Sequence, residues 1–223
     1  MPTKRYTIRA TAARPHLDGD WDSAIWSKAD TAAIDWFHPM SSDHRPETHA
    51  RALYSAEGLH IVFRVKDRYI RSIATEYNGK VWEDACAEFF VQPRADKGYF
   101  NLEMNCGGTF LLGYAETQPD GKKESERVPW ELASRIETYH SMPEKVDPEI
   151  ADAKEWRIEY YVPFAIFENY VGPLDNVAGQ TWRGNFYKCA ENNSHPHWAA
   201  WSPVGEKLNF HQPDKFGEIA FEN

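Results

Sequence analysis

Residues 49–67, HARALYSAEGLHIVFRVKD, carry the pattern that decides the fold class. Two alternating runs, 50–54 and 59–65, are separated by a short segment that holds Gly58. A period of two sends successive side chains to opposite faces of a strand, so the stretch reads as a β-hairpin. Further strand patterns fall at 88–92, 99–105, 109–114, 133–139, 155–162, 184–190, 197–201 and 216–221. Many short strands with turn signals between them predict an all-β, antiparallel sandwich or barrel. Helical pattern is confined to WDSAIWSKA (21–29) and PFAIFENY (163–170), enough for one or two short helices. The polar stretches 116–129 and 141–155 read as long loops inside one domain spanning 1–223, since the strands around them have no separate cores.

The chain has 223 residues, 42% hydrophobic and 14% aromatic, with 34 acidic against 25 basic residues and a net charge of -9. That field repels phosphate backbones and anionic lipid headgroups, which argues against nucleic acid or a membrane as partner. No stretch approaches transmembrane length. The opening residues show no secretory signal, so the segment as it stands reads as cytoplasmic, and as secreted or periplasmic if a leader precedes it. Cys86, Cys106 and Cys189 lack CxxC spacing and cannot all pair, so buried thiols are expected.

Residues 79–93, GKVWEDACAEFFVQP, place a tryptophan and three carboxylates at the entry to an apolar strand. Trp82 can be a core cap, with Glu83, Asp84 and Glu88 solvated or paired to Arg64, Lys66 or Arg68. It can equally be one wall of a binding site, because sandwich proteins carry binding residues where a loop hands over to a strand. A second cluster, 182–223, holds Trp182, Trp198 and Trp201 among polar side chains. Two tryptophans with opposed faces clasp a pyranose, whose ring faces are apolar while its hydroxyls point outward to carboxylates and amides. Trp21 and Trp26 read as core anchors. Asp18, Asp20 and Asp22 alternate as in a calcium loop, but the glycine and distal glutamate of such a loop are missing, which leaves a structural calcium as no more than an option.

In this order along the chain, HLDGDWDSAIWSKA, ARALYSAEGLHIVFRVKD, VWEDACAEFFVQP, GYFNLEMN, EWRIEYYVPF, WSP and NFHQPDKFGEIAF resemble the family-9 carbohydrate-binding modules over nearly the whole sequence. The resemblance implies an immunoglobulin-like β-sandwich that binds a mono- or oligosaccharide without catalysis, between two tryptophans, often in the service of a glycoside hydrolase. By position it implies Trp82 and Trp201 as the stacking rings and Glu88 as hydroxyl acceptor, with Asp84 and Glu83 assisting. Glu103 stands where the family has a basic sugar contact, and Tyr187 and Cys189 stand on the strand of its amide contacts; Glu103 and Tyr187 complete the expected site.

Rival readings use other residues. His195, His197 and His211 are of types that ligate zinc or copper, and Met104 is of a type that ligates heme iron, which gives a metal- or heme-binding sandwich. Glu88 with Asp84 or Glu103 can be the carboxylate pair of a glycoside hydrolase. A sugar site decayed into a partner-binding surface is the third alternative. No GxSxG, P-loop or HExxH pattern occurs.

Overall fold

In the computed structural model, which describes residues 3–118 and 120–222, the hairpin forms as the sequence dictates. Among these residues the first half of the chain supplies β1 (Arg5–Ala10), β2 (Thr31–Ala33), β3 (Trp36–Phe37), β4 (Glu47–Tyr54), β5 (Gly58–Asp67) and β6 (Ile70–Ser72). The middle supplies β7 (Cys86–Gln92), β8 (Tyr99–Asn105), β9 (Phe110–Thr117) and β10 (Lys123–Arg127), then β11 (Glu137–His140) and β12 (Val146–Ile150). The last third supplies β13 (Lys154–Pro163), β14 (Thr181–Ala190), β15 (His197–Ala200) and β16 (Gly217–Phe221). Helix is limited to α1 (Trp130–Ala133), α2 (Phe164–Val171) and three 3-10 turns at Trp26–Lys28, Val81–Glu83 and Pro213–Lys215.

The strands pair in the order β10-β9-β8-β7-β14-β16-β1-β4-β5-β13-β11, with β15 on β14 and β3 on β15. The pairs are antiparallel except at β1, which runs parallel to β16 through Arg5–Ile8 and parallel to β4 through Arg9 and Ala10. β1 therefore hands the sheet over from one layer to the other, and the curled result is the β-sandwich that the alternating pattern predicts. The shared core takes alternate residues from both layers: Phe89, Leu102, Met104 and Phe186 from one, Ile61, Phe63, Trp156 and Ile158 from the other. Both stretches read as long loops contain strands. β10 pairs with β9, and β12 pairs with β6.

Alternation leaves the opposite face of the β7–β10, β14 and β15 layer turned away from that core. Opposite Glu88 on one side stands Glu103 of β8, and on the other Tyr187 of β14. Opposite Cys86 stand Asn105 and Cys189. A large part of the face is closed by the segment after β15, where Val204, Phe210 and Phe216 pack on Phe90, Tyr99 and Tyr187.

Candidate functional site

What remains uncovered on this face is a cavity of about 760 Å³, within the range of small-molecule sites. Glu88 and Glu103 form its floor, Trp82 and Trp198 flank it, and β10 contributes Lys123, Ser125 and Arg127 along one side. These three alternate on β10 and so share one face, and Glu126 between them lines the cavity as well.

The two tryptophans are half-buried and are held through one residue. The backbone N–H of Glu191 donates to the Trp82 carbonyl at 3.1 Å, and the Trp198 indole Nε1 donates to Glu191 Oε1 at 2.8 Å. The 3-10 turn Val81–Glu83 sets Trp82 ahead of β7, and the β14–β15 register, Cys189 opposite Trp198, sets Trp198 beside the floor.

The floor is an acid pair out of water. Glu88 and Glu103 are 2% and 5% exposed. Burial drives the Glu88 carboxyl well above its ordinary range, and the neighbouring Cys189 and Glu103 push it the same way. Burial also raises Glu103, to about 7, against the pull of the Asn101 amide and of Arg127. The Asn101 amide donates to Glu103 Oε1 at 2.8 Å. Two adjacent carboxyls in a low dielectric resist ionising together, so the pair titrates as a unit, above the ordinary carboxylate range.

At the far side, Lys123 Nζ donates to the Tyr99 hydroxyl at 2.8 Å, and that hydroxyl lies 2.9 Å from His211 Nδ1. Burial, then Lys123, lowers His211 to about 4, so its neutral ring accepts from Tyr99. Lys123 Nζ also reaches the His211 carbonyl at 3.4 Å, and Arg127 is near enough to Glu103 to pull its carboxyl down. The cavity thus offers two apolar walls, a buried acid pair whose ionisation is raised, and charged side chains of both signs along its sides.

Of the seven residues expected at the site, Trp82, Glu88 and Glu103 meet in the cavity. The others are elsewhere. Trp201 is 6% exposed and lies in the sandwich core, edge-on to Tyr6 and Phe186. The space against its ring is open only because residue 217 is glycine. Tyr187 faces the right way but is covered by the stacked ring of Phe210, centroids 4.0 Å apart. Asp84 is a buried staple, accepting from the Ile73 and Ala74 amides and from Asn105. Glu83 pairs with Lys80 at 2.9 Å, beside the cavity wall rather than on it. Sequence reasoning missed Trp198, Glu191, Asn101, Lys123 and Arg127. For Trp198 a signal existed: it and Trp201 are three apart, an odd spacing that sends them to opposite faces of one strand.

The histidines take separate structural roles. His195 stacks on Tyr69 at 3.6 Å, His197 accepts from buried Lys188, and His211 meets Tyr99. Met104 points into the sandwich core. Asp18 and Asp20 cap the local backbone amides of Asp20 and Asp22. Among the described residues the donors close enough to share a metal ion are Cys86, Glu88 and Cys189. Among the described residues no helix is long and apolar enough to cross a membrane.

The fold recurs in solved proteins. A proposed carbohydrate-binding protein of Bacteroides uniformis shares 26% identity, with a TM-score of 0.86, over 99% of this chain and 100% of that one. A family-9 carbohydrate-binding module from Caldicellulosiruptor kristjanssonii has been solved with cellotriose, at 14% identity and TM-score 0.63, covering 99% of this chain and 94% of that one. The same organism's module with glucose gives 14% and 0.62, covering 99% and 96%. At that identity the likeness shows the fold alone. No curated protein matches significantly. The model of carbohydrate-binding family 9, whose modules are non-catalytic binding domains, matches residues 22–221, and the chain belongs to that family.

Proposed function

We propose that the cavity over β7 and β8 binds a saccharide, with the rings of Trp82 and Trp198 as its apolar walls and the Glu88–Glu103 floor hydrogen-bonding its hydroxyls. The observation that carries this reading is the pair of half-buried tryptophans joined through Glu191 above two buried acids. A pyranose presents the complementary surface, apolar on its ring faces and hydroxylated at its rim. The clasp expected from Trp82 and Trp201 thereby passes to Trp82 and Trp198, because the Trp201 ring has no free face. Glucose and cello-oligosaccharides, bound by the Caldicellulosiruptor modules, are the first ligands to try. Glu103 stands in place of the family's basic contact, so a wider glycan panel belongs in the same experiment.

The test is calorimetry on four proteins. Wild type should bind at least one glycan of the panel. Trp82→Ala and Trp198→Ala should each weaken that binding roughly tenfold, about 1.4 kcal/mol, while melting close to wild type. Trp201→Ala should instead lose about 3–5 kcal/mol of stability, the usual cost of emptying a buried tryptophan site. Binding unaffected by both cavity substitutions, or no binding across the panel by a well-folded wild type, would overturn the reading.

A further inference from the structure

Cys86 and Cys189 stand directly opposite each other across β7 and β14. Glu88 follows Cys86 by two residues and so shares its face. One donor atom from each, two sulfurs and a carboxylate oxygen, lie within 4.8 Å of one another, and all three residues are at most 2% exposed. The two thiols lie against each other. Cys86 Sγ also donates to the Ala87 carbonyl at 3.9 Å. The single S–H of Cys189 has two acceptors, Glu88 Oε1 at 3.0 Å and the Trp82 carbonyl at 3.5 Å, and can serve one. Sugar binding gives two such thiols no task.

We propose that Cys86 Sγ, Cys189 Sγ and a Glu88 oxygen bind one zinc-class divalent cation, with its fourth coordination position facing the cavity. Two thiolates and a carboxylate suit a borderline-soft ion better than calcium or magnesium, which take oxygen ligands. With Zn–S near 2.3 Å and Zn–O near 2.1 Å, tetrahedral ligand atoms sit roughly 3.5–3.8 Å apart. Atoms already within 4.8 Å reach that spacing by small side-chain rotations, with no strand moving. Glu88 and Cys189 line the cavity whereas Cys86 lies behind them, so the remaining position opens toward Trp82 and takes water or a ligand hydroxyl. Uptake balances as M²⁺ plus two thiols and one carboxylic acid giving a complex of charge -1 and three protons. The ammonium of Lys188, buried on the adjacent position of β14 with its Nζ 3.0 Å from the Cys189 carbonyl, is nearby but is already paired with Asp67 at 3.3 Å.

This assignment does not rest on sugar binding, and its test uses metal alone. Metal-free protein, kept reduced with a phosphine, is titrated with cadmium, a spectroscopic stand-in for zinc. A thiolate-to-cadmium charge-transfer band should grow to one equivalent and disappear as zinc is added. Cys86→Ser or Cys189→Ser should weaken uptake at least a hundredfold, and Glu88→Gln about tenfold with the band retained. Cys106→Ser should change nothing, because that thiol lies in the sandwich core. A wild-type protein that shows no saturable band, or a band that survives in the Cys86→Ser/Cys189→Ser double variant, would overturn the proposal. The wild-type titration decides even if a cysteine variant fails to fold. A glycan that binds equally with and without metal leaves the sugar reading standing whichever way the titration falls.

Discussion

Glu103 shows how one residue's setting governs what the cavity can do. Its carboxyl is raised to about 7, by burial first, and its partner Glu88 is pushed up as well, again by burial first. A carboxylate accepting a sugar hydroxyl makes a charge-assisted hydrogen bond, stronger than the one a neutral acid makes. Ionisation of Glu103 therefore favours binding, and affinity should rise as pH increases through about 7 and fall as pH decreases through it. The difference between charged and neutral hydrogen bonds, about 1 kcal/mol, corresponds to roughly five- to tenfold. Calorimetry across that range should show this slope in wild type and a flat profile in Glu103→Gln; an unchanged slope in the variant would assign the titration to another group. Trp82 and Glu88 were legible because acids and an indole at the entry to an apolar strand ask for a reason, and Glu103 only through its position in the family resemblance. Trp198 was hidden by Trp201, whose WSP setting resembles the family's stacking position while its ring belongs to the core.

Elements divide the same way. The hairpin β4–β5 and strand β13 were legible because runs of eight and ten residues packed against a core announce their period, and their register forms one continuous ladder. β10 was not legible, since KESER has no apolar residue and every position is exposed. It is a strand because β9 offers it a partner, and its charges suit an unpaired outer edge. Its position matters through Gly113 of β9, which pairs with Arg127 on one side and Asn101 on the other. A side chain at residue 113 would put its Cβ 2.5 Å from Asn101 Oδ1, so glycine there makes room for the amide that supports ionised Glu103. Gly113→Ala should displace Asn101, remove that support and move the pH dependence of binding to higher pH. The Glu103 carboxyl signal in an NMR titration would show the shift directly, and an unmoved midpoint would mean that Asn101 does not tune the floor.

At the scale of the molecule, the two layers are tied at one end by a buried charge network that hydrophobic patterning could not reveal. Lys188 of β14 is fully buried and its three ammonium protons have three partners: Asp67 at 3.3 Å, His197 Nε2 at 2.8 Å and the Cys189 carbonyl at 3.0 Å. Asp67 ends β5 in the opposite layer and also receives His44 at 2.7 Å and the Trp156 indole at 3.2 Å. Burial alone would raise its carboxyl, but Lys188, His44, His197 and Trp156 outweigh it and hold the group well below the ordinary range. His197 is lowered to about 3, by burial and then by Lys188. Both shifts have the same consequence. Asp67 stabilises the fold above its unfolded pKa, and this contribution is lost as pH falls. His197 is neutral in the fold while the unfolded chain takes up a proton below about 6.5, so its share is also lost on acidification, from that value down toward 3. Asp67→Asn removes the counter-charge and leaves Lys188 buried and unpaired, which should cost about 3–5 kcal/mol in urea unfolding. Asp67→Asn combined with Lys188→Met should recover a large part of that loss, since removing both charges eliminates the uncompensated one. A double variant as unstable as Asp67→Asn alone would mean that hydrogen bonding by Asp67 to His44 and Trp156, rather than charge pairing between the layers, holds this end of the sandwich together.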